Sequence, residues 1–153
     1  MKTACFPSLT FKLSEDGSVK ITDVGVSKKV DDITGTLAGT SVYIAPEVFH
    51  SQVYDRKADI YSFGIMLWEM WYGRQAFAEF KGTTALFFKW VDEGNRPKAA
   101  EGSKKPPYPW KQLMSRCWDR NPEQRPSAND CNHEITTLSQ EAGYLICAQW
   151  WNP

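Results

Sequence analysis

The stretch Asp55 to Gly73, DRKADIYSFGIMLWEMWYG, constrains the fold more than any other part of the chain. Asp55 is placed to cap a helix start and Gly73 to end it. Between them Ala58, Ile60, Tyr61, Phe63, Ile65, Met66, Leu67, Trp68, Met70 and Trp71 occupy more than one helical face. A surface helix carries one apolar stripe, whereas a helix that is apolar nearly all round needs protein on every side. The remaining elements must therefore wrap it. It is no membrane span, because Ser62, Gly64 and Glu69 interrupt the run from Ile60 to Tyr72 and leave it too short.

A chain of 153 residues can bury such a helix in one domain. FKLSEDGSVKITD reads as a β-hairpin: Glu15-Asp16-Gly17 supplies the turn, and Val19 and Ile21 alternate with Lys20 and Thr22. From Gly25 to Ala45 neither a strand nor a helix period is present, and a loop of that length inside a domain is either functional or disordered. A second, weaker helical region is expected from Phe77 to Val91, then a loop over EGNRPKAAEGSKKPPYP. Trp110 to Trp118 reads as a short helix stopped by Asn121-Pro122. Ser127, with Asp130 three residues on, resembles a capping box for a last helix with Ala128, Cys131, Ile135 and Leu138 on one side. The fold expected is mainly α, a helical bundle around a central buried helix with a small N-terminal β-hairpin.

Formal charge is zero, 18 basic against 18 acidic residues, so bulk electrostatics predict neither nucleic acid nor an anionic membrane as partner. Cys5, Cys117, Cys131 and Cys147 show no C-x-x-C spacing and no register with His50 and His133, which points to free thiols rather than a metal site. The first twelve residues, MKTACFPSLTFK, hold no apolar run that would make a signal peptide. A soluble, cytoplasmic protein is the expectation.

The order of motifs resembles the C-terminal lobe of a eukaryotic protein kinase catalytic domain, from about Asp16 to Leu138. Asp23-Val24-Gly25 resembles the D-F-G triplet and Ala45-Pro46-Glu47 is the A-P-E triplet. YDRKADIYSFGIMLWEM looks like the family's central helix, and RCWDRNPEQRPS resembles its closing C-W…P-x-x-R-P segment, closest to the tyrosine-kinase-like group. The resemblance implies residues 15–140 as a partial kinase domain, with 1–14 a non-family N-terminus and 141–153 a tail. It also implies ATP and Mg2+ as cofactors of the complete domain, and protein substrates or partners.

Residue by residue, the resemblance makes Asp23 the Mg2+ ligand, since hard cations take charged oxygens on fixed backbone, with a turn-forming aspartate as the alternative. Gly25 frees the backbone behind it. GTSVYIAPE is similar to the serine/threonine-kinase pattern, which makes Thr40, with Ser41 beside it, part of the substrate-facing loop. Glu47 and Arg125 match a structural ion pair. Asp59 matches the residue that holds the catalytic loop from beneath, or else is a helix-start aspartate favoured by the dipole. Ser27, Thr34, Thr36 and Ser41 are candidate phosphorylation sites or plain loop residues.

Phosphoryl transfer in this family also requires a glycine-rich loop, a strand lysine and an H-R-D-x-K-x-x-N catalytic loop. None is present in the sequence. Counting back from the hairpin, Thr3-Ala4-Cys5 stand where H-R-D belongs and Thr10 stands where the metal-binding asparagine belongs. No catalytic residue is assigned, neither ATP nor Mg2+ is expected to bind this chain tightly alone, and the chain is expected to be inactive by itself. The alternative reading is a non-catalytic kinase-like module that binds proteins.

Overall fold

The computed structural model describes residues 10–13, 19–22, 39–99 and 102–141. Strands β1 (Thr10–Leu13) and β2 (Val19–Thr22) pair antiparallel, Thr10 opposite Thr22 and Leu13 opposite Val19. The Glu15–Gly17 turn lies outside the described residues. A 3-10 helix, Gly39–Tyr43, leads into α1 (Pro46–Phe49), followed by α2 (Lys57–Tyr72), α3 (Thr84–Asp92), α4 (Tyr108–Cys117) and α5 (Ala128–Glu141). A second 3-10 helix, Pro122–Gln124, links α4 to α5. The fold is mainly α.

Helix α2 is the axis. It packs on α4, on the Gly39–Tyr43 turn and on the Pro122–Gln124 turn, while α4 carries α5 and α1 carries α3. Ala58, Ile60, Tyr61, Ile65, Leu67 and Trp68 are buried, but Phe63, Met66 and Trp71 are only partly so and Met70 is 44% exposed, so the helix is covered on most sides and not on all. Asp55 Oδ1 accepts the Lys57 N–H at 2.8 Å, and Gly73 ends the helix in the left-handed region at φ 61°, a conformation glycine adopts without a steric penalty. Gly64 sets the spacing to α4: a Cβ there would lie 2.8 Å from Cys117 Cβ. The two helices approach this closely because position 64 has no side chain.

Four local expectations need correction. The stretch from Gly25 to Ala45, read as neither strand nor helix, ends in the 3-10 helix Gly39–Tyr43, a tight turn that leaves no apolar period to read. The helix expected from Phe77 begins only at Thr84, with the Thr83 hydroxyl accepting the Leu86 N–H. Phe77 instead sits at φ 58°, in a turn whose Ala76 N–H is taken by Glu69 Oε1 at 2.7 Å. The apolar spacing of Phe77 and Phe80 serves aromatic packing, not a helix face. Helix α4 starts two residues before Trp110, because Pro109 fits a first turn, where the missing N–H has no intrahelical partner to lose. Ala128 is exposed, although Cys131 is buried and Ile135 and Leu138 pack partly against the core.

The capping box forms as read. The Ser127 hydroxyl accepts the Asp130 N–H, and Asp130 Oδ2 accepts the Ser127 N–H at 3.0 Å. The Ser127 hydroxyl, which also donates to Asp130 Oδ2 at 2.6 Å, and then the Ser127 N–H hold the Asp130 carboxyl below the usual carboxylate range. On the opposite side, α1 and α3 are joined by Phe49 stacked on Phe88, ring centroids 3.9 Å apart, and by His50 Nε2 at 2.7 Å from Asp92 Oδ2.

Candidate functional site

The segment GTSVYIAPE is held by three separate polar contacts, two on the central helix and one on Arg125. A short turn places it first: Ile44 N–H donates to the Ser41 carbonyl, and Pro46 then opens α1 with its ring in the first turn. Within α2, the Ser62 hydroxyl donates to the Tyr43 carbonyl at 2.7 Å. About two turns further on, Glu69 Oε2 accepts the Tyr43 hydroxyl at 2.5 Å, while its other oxygen binds Ala76 N–H. Glu69 thus ties the segment to the turn that follows α2. The Tyr43 phenol is pushed up from its ordinary pKa, first by burial and then by the hydrogen bond and charge of Glu69.

Glu47 supplies the third anchor. Arg125 Nη1 donates to Glu47 Oε1 at 2.6 Å and Nη2 to Oε2 at 3.0 Å, a bidentate pair with side chains 0% and 8% exposed. The rest of the guanidinium is also used: Nε donates to the Asp119 carbonyl at 2.9 Å and Nη1 to the Lys57 carbonyl at 2.9 Å. Lys57 Nζ returns a hydrogen bond to the Arg125 carbonyl. A planar fork suits this task, because it spends several fixed donors on one buried carboxylate and on carbonyls that would otherwise lie dry.

The ring of Tyr61 lies between two cations. Arg125 Cζ is 5.2 Å from its centroid and Arg96 Cζ 5.7 Å. Arg96 fixes the loop after α3 by donating Nε to the Trp118 carbonyl and Nη1 to the Val91 and Asn95 carbonyls. The Tyr61 hydroxyl is buried without a hydrogen-bond partner among the described residues. Burial pushes the phenol up to about 12, against the opposing pull of Arg96 and Arg125. The neutral phenol is therefore favoured by the fold. Its contribution is complete below the ordinary value of 10 and is lost as pH rises from 10 towards 12. Denaturant unfolding measured across that window is expected to show a steep alkaline loss of stability, flattened in Tyr61→Phe. An equal loss in the variant would remove Tyr61 from the explanation.

Of the residues singled out by sequence, Glu47 and Arg125 meet, and Asp59 lies half-buried in the first turn of α2. Its carboxyl is raised by burial and, secondarily, by Asp55. Ser41 is buried at 4% and Thr40 lies in the 3-10 helix beside it. Asp23, Gly25, Ser27, Thr34 and Thr36 lie outside the described residues. Sequence reasoning missed Tyr43, Glu69, Lys57 and Arg96. The signal for Glu69 was visible, a lone carboxylate within an apolar helix; no comparable signal marked Arg96.

A helical lobe built around one buried helix, with an Ala-Pro-Glu carboxylate clamped by an arginine from the far end of the sequence, defines the class. The family profile described as protein tyrosine and serine/threonine kinase matches residues 12–135, and the chain belongs to that family. It is 33% identical over 149 residues to the dual specificity protein kinase shkE of Dictyostelium discoideum, covering 91% of this chain and 20% of that protein. Against the human mitogen-activated protein kinase kinase kinase 7 it is 36% identical over 120 residues, 78% of this chain and 19% of that protein. Against serine/threonine-protein kinase 12 of Arabidopsis thaliana the identity is 35% over 140 residues, 89% of this chain and 30% of the relative. The chain thus spans about a fifth of the length of the first two.

The family uses ATP and Mg2+. Among the described residues no group of three or more His, Cys, Asp or Glu side chains could hold a metal ion, and Asp23, the residue expected to hold Mg2+, lies outside them. No helix among them is long and apolar enough to cross a membrane.

Proposed function

We propose that this chain is the target-recognising part of a serine/threonine protein kinase domain and that, alone, it transfers no phosphate. The observation that carries the first half is the triple anchoring of GTSVYIAPE on α2 and Arg125, through Ser62, Glu69 and Glu47. Such anchoring fixes the segment in one place on a rigid helix, which is what positioning a protein hydroxyl requires. Thr40, three residues ahead of Tyr43, is the residue we assign to the hydroxyl-facing position, favouring serine and threonine over tyrosine. The name of one relative, serine/threonine-protein kinase 12, supports that substrate class.

The second half rests on Thr3-Ala4-Cys5, which stand in the place of the H-R-D triplet and include no carboxylate. General-base catalysis contributes roughly 10² to 10⁴ in rate, and none of these three side chains can take a hydroxyl proton near neutral pH as an aspartate does. Asp23 is the residue we assign to Mg2+ held against nucleotide phosphates; its chemistry there is charge neutralisation at the transferring group. Purified chain incubated with Mg2+, labelled ATP and a generic protein substrate is expected to give no transfer above a blank. Transfer would overturn the proposal of inactivity. A chimaera joining a relative's nucleotide lobe and catalytic loop to residues 11–141 is expected to label serine and threonine but not tyrosine, and tyrosine labelling would overturn the substrate class.

A further inference from the structure

Cys117 closes α4 and Cys131 lies in the first turns of α5, and the packing of these helices brings their sulfurs to 3.8 Å. Both are free thiols and both are buried, at 0% and 3% exposure. Neither takes part in anchoring the GTSVYIAPE segment. Two thiols in van der Waals contact differ from a lone buried cysteine in one respect: oxidation of either places an electrophilic sulfur against a nucleophilic one.

We propose that Cys117 and Cys131 form a redox-modification site, at which a small hydroperoxide joins the two thiols in a disulfide that ties α5 to α4. Atoms balance over two steps. The Cys131 sulfur attacks the O–O bond of hydrogen peroxide, forming an S–O bond and releasing water, which leaves a sulfenic acid. The Cys117 sulfur then attacks that sulfur, an S–S bond forms, and the hydroxyl departs with the Cys117 proton as a second water. Two thiols have lost two electrons and one peroxide has gained them.

The order of the steps follows from the surroundings. Either sulfur can donate in the hydrogen bond they share; with Cys117 as donor it pulls the Cys131 thiol below its ordinary pKa, against the effect of burial, while the same bond and burial push Cys117 up. The thiolate is the attacking species, so Cys131 reacts first. Movement must also come from its side. The Cys117 Cβ is pressed against Gly64 of the central helix, where an added Cβ would sit at 2.8 Å. Helix α5 is the outer partner, with Asn132 and His133 exposed and Ile135 and Leu138 only partly buried. Bringing the sulfurs to about 2.05 Å takes a closure of under about 2 Å, within reach of a side-chain rotation and a small shift of α5.

The bridge would close the segment from Trp118 to Asp130, which contains Arg125, the residue that grips Glu47, and Asp119, whose carbonyl holds Arg125 Nε. Oxidation therefore stiffens the anchor beneath the Ala-Pro-Glu triplet.

The test uses the full chain with Cys5→Ser and Cys147→Ser, reduced, exposed to hydrogen peroxide, then alkylated under denaturing conditions and mapped by mass spectrometry. The expected result is an intrachain Cys117–Cys131 link, reversed by dithiothreitol, with a melting temperature about 5 to 10 °C above the reduced form. Cys131→Ala and Cys131→Ser, each checked for folding by circular dichroism, are expected to leave Cys117 as an unreacted thiol with no rise in melting temperature. Sulfinic or sulfonic acid at Cys131 without a link, a link between chains, or two unreacted thiols at peroxide levels that oxidise glutathione would each overturn the proposal.

Discussion

Arg125→Ala is expected to lower stability by about 3 to 5 kcal/mol, because it leaves Glu47 buried at 8% side-chain exposure with its charge uncompensated. Three carbonyl and carboxylate partners lose their donor at once: Glu47, Asp119 O and Lys57 O. Glu47→Gln should cost less than Arg125→Ala, since a neutral amide still accepts from the guanidinium, but it strands part of a buried cation. The double variant is expected to fall well short of the sum, as for any pair in direct contact. Denaturant titration of the two singles and the double gives the comparison. Additive losses, or a loss under about 1 kcal/mol for Arg125→Ala, would show that the pair is not the anchor described above.

Phe87→Ala is the second large effect expected, a loss of about 3 to 5 kcal/mol through the cavity it leaves. Phe87 is fully buried, and its ring meets Phe77, Phe80 and Phe88 edge-on at centroid distances of 5.0 to 5.3 Å. Those edge-to-face contacts go with the ring, so truncation removes more than buried area. The neighbouring Leu86, 55% exposed, provides the control: Leu86→Ala is expected to change stability by no more than about 0.5 kcal/mol. Similar losses at the two positions would mean that α3 presents a different face to the core.

The contrast between these neighbours shows what local pattern could tell. Buried Phe87, Phe88 and Val91 follow a helical spacing, and the helix over this part of the chain was readable from them. Its start was not. Phe77 and Phe80 repeat the same spacing, yet the turn there is fixed by Glu69, seven residues before Ala76 on another element, and by the left-handed conformation of Phe77. A periodic pattern records which side chains are apolar and is blind to a carboxylate that captures a backbone N–H. The capping box at Ser127 was readable for the opposite reason, since both of its hydrogen bonds close within three residues.

At the candidate site the division is similar. The Glu47–Arg125 pairing, across 78 residues, came from resemblance to a family and not from any property of the two positions. Glu69 stood out as a carboxylate in apolar surroundings, but its partner Tyr43 could not be named from that. The cysteines, examined for metal-ligand spacing, gave no sign that two of them touch.

By itself the sequence determined the order of the hairpin and the longer helices, the central place of the helix from Lys57 to Tyr72, and the family. Apolar content and caps act over a few residues, and every copy of such a pattern folds in much the same way. Only the tertiary structure decided which polar and sulfur groups meet: Glu47 with Arg125, Glu69 with Tyr43 and Ala76, Cys117 with Cys131. Those meetings depend on how far one helix sinks against another, and at Gly64 that depth was set by the absence of a single carbon.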